Sequence, residues 1–308
     1  MSNVTVFCFL ASYAVALSAD ALRLWGRTVA LRWVAWAAAA AGLLAHTWFL
    51  AITYGGGWNE GAGAGAEPWG GRAWILALAW LGAAYYVIAT GVERRSAMGV
   101  FLWPLVLGLV ACSYAVPAGP VSLWGGKEGG VVRAWAILHA GLLLVGLLGV
   151  LAGVVTSAMY LVHHRRLRAG RFDPDAVPLF SLERLDRWNR VAVAVAVPLL
   201  ALGVMIGLGL VVAGGEGAVG GLWDPVVIGT TVGVFAAGLA VGEVVRREGQ
   251  AGRGVAVRTL LAFGFLLVTV IGLQVLAGGG GLLESWHAGG AVVANDSASD
   301  AAAGEGGR

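Results

Sequence analysis

Apolar runs of about twenty residues, the length that carries a helix across a hydrocarbon core of ~30 Å, recur along the whole chain. Nothing else in the sequence restricts the fold so tightly. A backbone in lipid must satisfy its own N–H and C=O groups, which leaves helices and closed barrels. The runs show no period-two alternation, so helices are expected and barrel strands are not. Eight spans follow, at 3–19, 28–53, 73–91, 98–117, 133–161, 191–213, 226–243 and 257–277. The fifth is long enough to tilt or to project beyond the bilayer. Composition agrees. With 59% hydrophobic and 12% charged residues, a soluble domain of this size could not hide its apolar surface. The fold class is all-α, a polytopic integral membrane bundle of about eight transmembrane helices.

The basic residues orient those spans. Segments 20–32, 92–97, 162–190 and 243–258 hold 16 of the 20 lysines and arginines. The remaining segments hold only Arg72, Lys127, Arg133 and Arg308. Positive loops stay cytoplasmic, so both termini are expected outside. The alternation has no exception, and the net charge of +3 follows from topology, which argues against a nucleic-acid partner.

Much of the remaining sequence has an ordinary reading. The opening "MSNVTVFCFL" lacks a basic region and a cleavage site, as expected of an uncleaved first helix. Cys8 and Cys112 read as small core residues, with no metal-ligand spacing. "SLERLDRWNR" resembles a short amphipathic helix lying in the interface. His163 and His164 lie among arginines at a helix end, where solvent or lipid headgroups are the expected neighbours. "GGGWNEGAGAGAEPWGG" reads as a flexible outer loop, and the segment after about residue 288 as a disordered tail.

The outer side is different. The short stretch "GGLWDPV" places Trp223, Asp224 and Pro225 in the third outer loop. His139 starts span five at its outer end, His287 follows span eight, and His46 lies in the outer half of span two. Trp48, Trp58, Trp69, Trp124, Trp135 and Trp286 gather on the same side. Singly, such tryptophans are interfacial belt residues, and a histidine at a helix end is a polar group among headgroups. His46 is costly inside a span unless it faces protein or a cavity. Asp224 could orient a ligating imidazole or simply cap the helix that Pro225 begins. Taken together, imidazoles from separate helices under tryptophans suit a flat macrocycle whose iron takes two axial nitrogens.

Three segments resemble the cytochrome c assembly protein family, membrane haem handlers with a tryptophan-rich "WWD" outer loop. They are "LHAGLLLVGLLGVLAGVVTSAMYLVHHRRL", "LERLDRWNRVAVAVAVPLLALGVMIGLGLV", and "LWDPVV" with the later "FGFLLVTVIGLQVLAGGGGLLESWHAGG". They cover roughly residues 133–290, and "HTWFL" adds a match in the first half. The resemblance implies that His139 and His287 are axial ligands to haem iron, and that Trp223 and Asp224 end the loop on which the porphyrin packs. It implies that His46 holds haem on its way outward. It also implies haem b as the molecule transported or presented, a ResB/CcsB-type membrane partner, apocytochrome c as recipient, and a bacterial inner membrane. On this reading, residues 1–130 form a four-helix N-terminal half and 131–287 the assembly half, followed by the tail at 288–308. Thioether bonds would form on the cytochrome's own CxxCH thiols, and the chain shows no catalytic nucleophile of its own.

The chain departs from the family pattern at three points. Its loop "GGEGAVGGLWD" keeps only Trp223, Val226 stands where a lysine is usual, and "FAAGLAVGEVVRR" lacks a second transmembrane histidine. Two functions stay open: a system II component of the CcsA or ResC type that presents haem, or a HemX-like non-catalytic regulator linked to haem biosynthesis.

Overall fold

A computed structural model describes residues 6–24, 28–55, 70–92, 98–116, 130–170, 180–213, 222–246 and 252–278. Eight α-helices account for nearly all of them: α1 (Val6–Leu22), α2 (Val29–Tyr54), α3 (Gly71–Val92), α4 (Gly99–Ala115), α5 (Gly130–Arg168), α6 (Leu182–Ala213), α7 (Pro225–Arg246) and α8 (Gly252–Gly278). No strand occurs among the described residues. Six of the helices are long and apolar enough to cross a membrane. The other two, α1 and α4, have 17 residues each, at the lower end of the range that spans one. The flexible-loop reading of 55–71 and the disordered-tail reading fall almost wholly outside the described residues.

Local chemistry sets the helix ends. Thr28 Oγ1 accepts from the Leu31 N–H at 3.4 Å and caps α2. Past the end of α5, Gly170 adopts φ +66°, a conformation that costs glycine nothing. At 39 residues α5 is roughly 58 Å long, nearly twice a hydrocarbon core, so it projects as its sequence predicts. "SLERLDRWNR" departs from expectation. It is the first part of the continuous helix α6, and its Leu185 and Asn189 are buried. An interfacial helix would turn its apolar face to lipid; here that face packs inside the bundle.

Consecutive helices run antiparallel. The end of α1, the start of α2, the end of α3 and the start of α4 come together around Asp20, Tyr86 and Gly99. The starts of α6 and α8 meet the end of α5 in the same manner, through Asp186, Gly252 and Tyr160. At the opposite end, Gly71 of α3 lies beside Gln274 of α8 and Val116 after α4. The arginine-bearing ends thus lie on one side, as the charge alternation requires. Reporter fusions at Glu60, Gly125, Gly220 and Asp300 should all read external. A cytoplasmic signal at Gly220 or Asp300 would overturn this orientation.

Two apolar cores hold the bundle. One centres on Trp103 of α4, stacked on Tyr13 at 5.0 Å and tilted against Tyr86 at 4.7 Å. The other joins α5, α6, α7 and α8 through Val150, Leu200, Val234 and Phe263. The most extensive helix pairing is α5 with α6, and small residues make it possible. A side chain at Gly203 would come within 3.3 Å of the Leu143 backbone nitrogen, and one at Gly146 as close to that of Leu200. A buried polar tie adds direction. Ser157 Oγ donates to Asn189 Oδ1 at 3.1 Å, and Asn189 Nδ2 donates to Thr259 Oγ1 at 3.2 Å, linking α5, α6 and α8.

Candidate functional site

His139 projects from the outer half of α5 into the glycine seam of α6. Its Nδ1 lies 2.7 Å from the Gly203 carbonyl oxygen. A carbonyl only accepts, so Nδ1 carries the proton and donates it. The ring is also wedged against Gly207, where an added Cβ would stand 2.8 Å from Nδ1. Glycines at 203 and 207, one helical turn apart, thus supply both the hydrogen-bond acceptor and the space. In the neutral ring this fixes the tautomer, leaving the lone pair on Nε2. Metal-binding histidines are commonly oriented in this way, through a carbonyl on the other nitrogen.

His46 is held quite differently. It is completely buried in α2, with its ring parallel to Phe9 at a 4.0 Å centroid distance. Its Nδ1 lies 3.2 Å from the Tyr13 hydroxyl, and its Nε2 has no hydrogen-bond partner among the described residues. Burial of an ionisable ring in a span is thus met by one polar partner and the stacked Phe9 ring. An orphaned buried nitrogen calls for an explanation.

Asp224 is a helix cap. Its Oδ1 accepts from the Val226 N–H at 2.7 Å and its carbonyl from Ile228 at 3.0 Å, with Pro225 at the first helical position. It is 3% exposed, whereas the neighbouring Trp223 is 77% exposed and presents its indole outward. His287, the second ligand expected from sequence, lies outside the described residues, as do Trp58, Trp69, Trp124 and Trp286.

The structure brings only part of this set together. Trp223 and Asp224 share the start of α7, but His46 and His139 sit in separate packing groups. α2 packs on α1 and α3, whereas α5 packs chiefly on α6 and α8. Sequence reasoning missed Phe9 and Tyr13, the partners of His46. A tyrosine inside the apolar first span was a usable signal, since its hydroxyl needs a partner when buried. The small-residue spacing of Gly203 and Gly207 was another. Two quieter expectations are corrected. Cys8 is exposed on the surface of α1 rather than in the core. His163 bonds through Nδ1 to the Phe180 carbonyl at 3.0 Å, and so pins the chain entering α6.

Comparison with known proteins places this arrangement. The family model described as Cytochrome C assembly protein matches residues 70–279, from α3 through α8. It adds α3 and α4 to the segments resembling the family in sequence, and it stops short of "HTWFL" with His46 and of His287. No curated protein and no solved structure matches the chain.

Proposed function

This chain belongs to the cytochrome c assembly protein family, and from that premise we propose that its part in c-type cytochrome biogenesis is to bind haem and present it outside. The recipient on this reading is apocytochrome c, and the chain works as a CcsA-like component beside a ResB/CcsB-type partner. Haem b is the substrate carried. The observation that carries the reading is the His139 ring, oriented through Nδ1 by a backbone carbonyl, which makes Nε2 the nitrogen that would ligate iron. An exposed indole at Trp223 supplies a flat apolar face for a porphyrin at the outer surface. His287 would complete the axial pair.

His46 fits an earlier stage of the same passage. Its Nε2 is a buried nitrogen in want of a partner among the described residues, on a ring already stacked on Phe9. For Nε2 to bind iron, Nδ1 must carry the proton and donate it to the Tyr13 oxygen. The 3.2 Å contact permits that tautomer.

The test is a spectrum. Protein purified from membranes should show bis-imidazole haem absorption. In His46→Ala the haem content should fall severalfold while protein abundance in the membrane stays near normal. A loss of protein with unchanged haem stoichiometry in what remains would make His46 a packing residue only. The single-tryptophan loop favours the second reading, a HemX-like regulator. A colourless wild-type protein that co-purifies with haem-synthesis enzymes would support that reading and sink the first.

A further inference from the structure

The end of α1, the start of α2 and the end of α3 enclose a cleft of about 100 Å³ lined by Arg23, Arg32, Trp33, Trp36, Tyr86 and Thr90. We propose that it binds the phosphate of an anionic phospholipid of the cytoplasmic leaflet. The charge balance comes first. Arg23 is neutralised by Asp20 at 2.8 Å, and the other Asp20 oxygen takes the Tyr86 hydroxyl at 2.6 Å. Arg32 has no carboxylate partner among the described residues; its guanidinium lies 5.8 Å over the Trp33 ring. Among the described residues the cleft thus holds one positive charge without a carboxylate partner, between aromatic walls where reduced dielectric strengthens its pull on an anion.

The walls are fixed. Trp36 Nε1 donates to the Val87 carbonyl at 3.4 Å, and Trp33 meets Trp36 edge-on at 6.4 Å. The Thr90 hydroxyl is already committed to the Tyr86 carbonyl at 2.6 Å. The Arg32 guanidinium, with no carboxylate partner among the described residues, is the donor assigned to the phosphate.

The shape of α2 selects a lipid over a soluble anion. Trp33, Leu44 and Trp48 fall on one face of the helix by its 3.6-residue period, and they are 48%, 72% and 58% exposed. This apolar stripe leads from the cleft towards the opposite leaflet. A phosphate held on Arg32 would have its acyl chains lying along it. Basic pockets between transmembrane helices on the cytoplasmic side recognise anionic headgroups by this chemistry.

Full-length protein in mild detergent, titrated with dioleoyl phosphatidylglycerol or dioleoyl phosphatidylcholine and read by native mass spectrometry, tests the site. The wild type should retain phosphatidylglycerol about fivefold better, the discrimination that one surface cation supports. Arg32→Gln should lose that preference. The fold should survive, because among the described residues the Arg32 side chain meets only the Trp33 ring of its own helix. Arg187→Gln, which removes an exposed charge paired with Glu183 on α6, should keep the preference. Equal retention of the two lipids by the wild type, or an unchanged preference in Arg32→Gln, would overturn the proposal. So would displacement of phosphatidylglycerol by sodium phosphate but not by sodium chloride of equal ionic strength, which would assign the cleft to a soluble anion.

Discussion

Asp20→Ala is expected to destabilise the bundle by about 3–5 kcal/mol, the cost of removing one partner of a buried ion pair. Asp20 is fully buried, and its paired arginine is only 12% exposed. Both carboxylate oxygens are in use, one by Arg23 and one by Tyr86, so the side chain ties α1 to α3. It also lies against Gly99, where α4 begins and where any Cβ would strike it. Alanine would leave a guanidinium and a buried phenol unpaired at the meeting point of three helices. Stabilities of folded proteins are of order 5–15 kcal/mol, so a loss of this size should strip most protein from the membrane. Tyr86→Phe removes one hydrogen bond to a charged group and should cost about 1.5–3 kcal/mol. Exchanging Asp20 and Arg23 together for leucine should recover much of the loss, because apolar replacement of a whole buried pair is often neutral. Thermal unfolding in detergent measures all three. An Asp20→Ala melting point equal to wild type would show that the carboxylate carries no structural weight.

That residue also marks where the sequence stops being readable. The apolar run ends span one at 19, one residue before the carboxylate, because a charge beside an apolar run reads as an interface. In the structure α1 continues to Leu22, and Asp20 turns inward. Its burial depends on Tyr86, sixty-six residues away, and no local pattern announces such a partner. His46 repeats the lesson. The apolar context of a histidine predicted burial, but only the packing of α1 on α2 identifies Phe9 and Tyr13 as its neighbours. Apolar length placed all eight helices, since membrane thickness imposes that length on every span. Trp48 and Trp135, read as belt residues, are indeed exposed, and Asp224 caps its helix as Asp before Pro suggests. The fusion of "SLERLDRWNR" with α6 was hidden for a different reason. Amphipathicity shows that a face will be covered, and it leaves open whether lipid or protein covers it.

Replacing His139 with glycine should abolish bound haem and c-type cytochrome assembly together, and the same is expected of His287→Gly. Axial ligation requires an imidazole nitrogen with a lone pair at a fixed place. The Gly203 carbonyl provides this at His139 by holding the proton on Nδ1. The substitution removes the proposed ligand and leaves a hole of imidazole size against the glycine seam of α6, since the ring is wedged on Gly207. External imidazole should therefore fill that hole and restore part of both activities, an outcome that a folding defect would not give. The backbone cost of a glycine inside α5 is about 1 kcal/mol, small beside the packing of α5 on α6, so protein abundance should hold. Gly203→Ala separates orientation from ligation. Its added methyl group would press on Leu143 and push the carbonyl off His139, with the ligand itself still present. A shifted haem spectrum with incomplete loss of haem is expected there. If both histidine-to-glycine variants bind haem and support cytochrome c formation without added imidazole, the pair is not the ligand set.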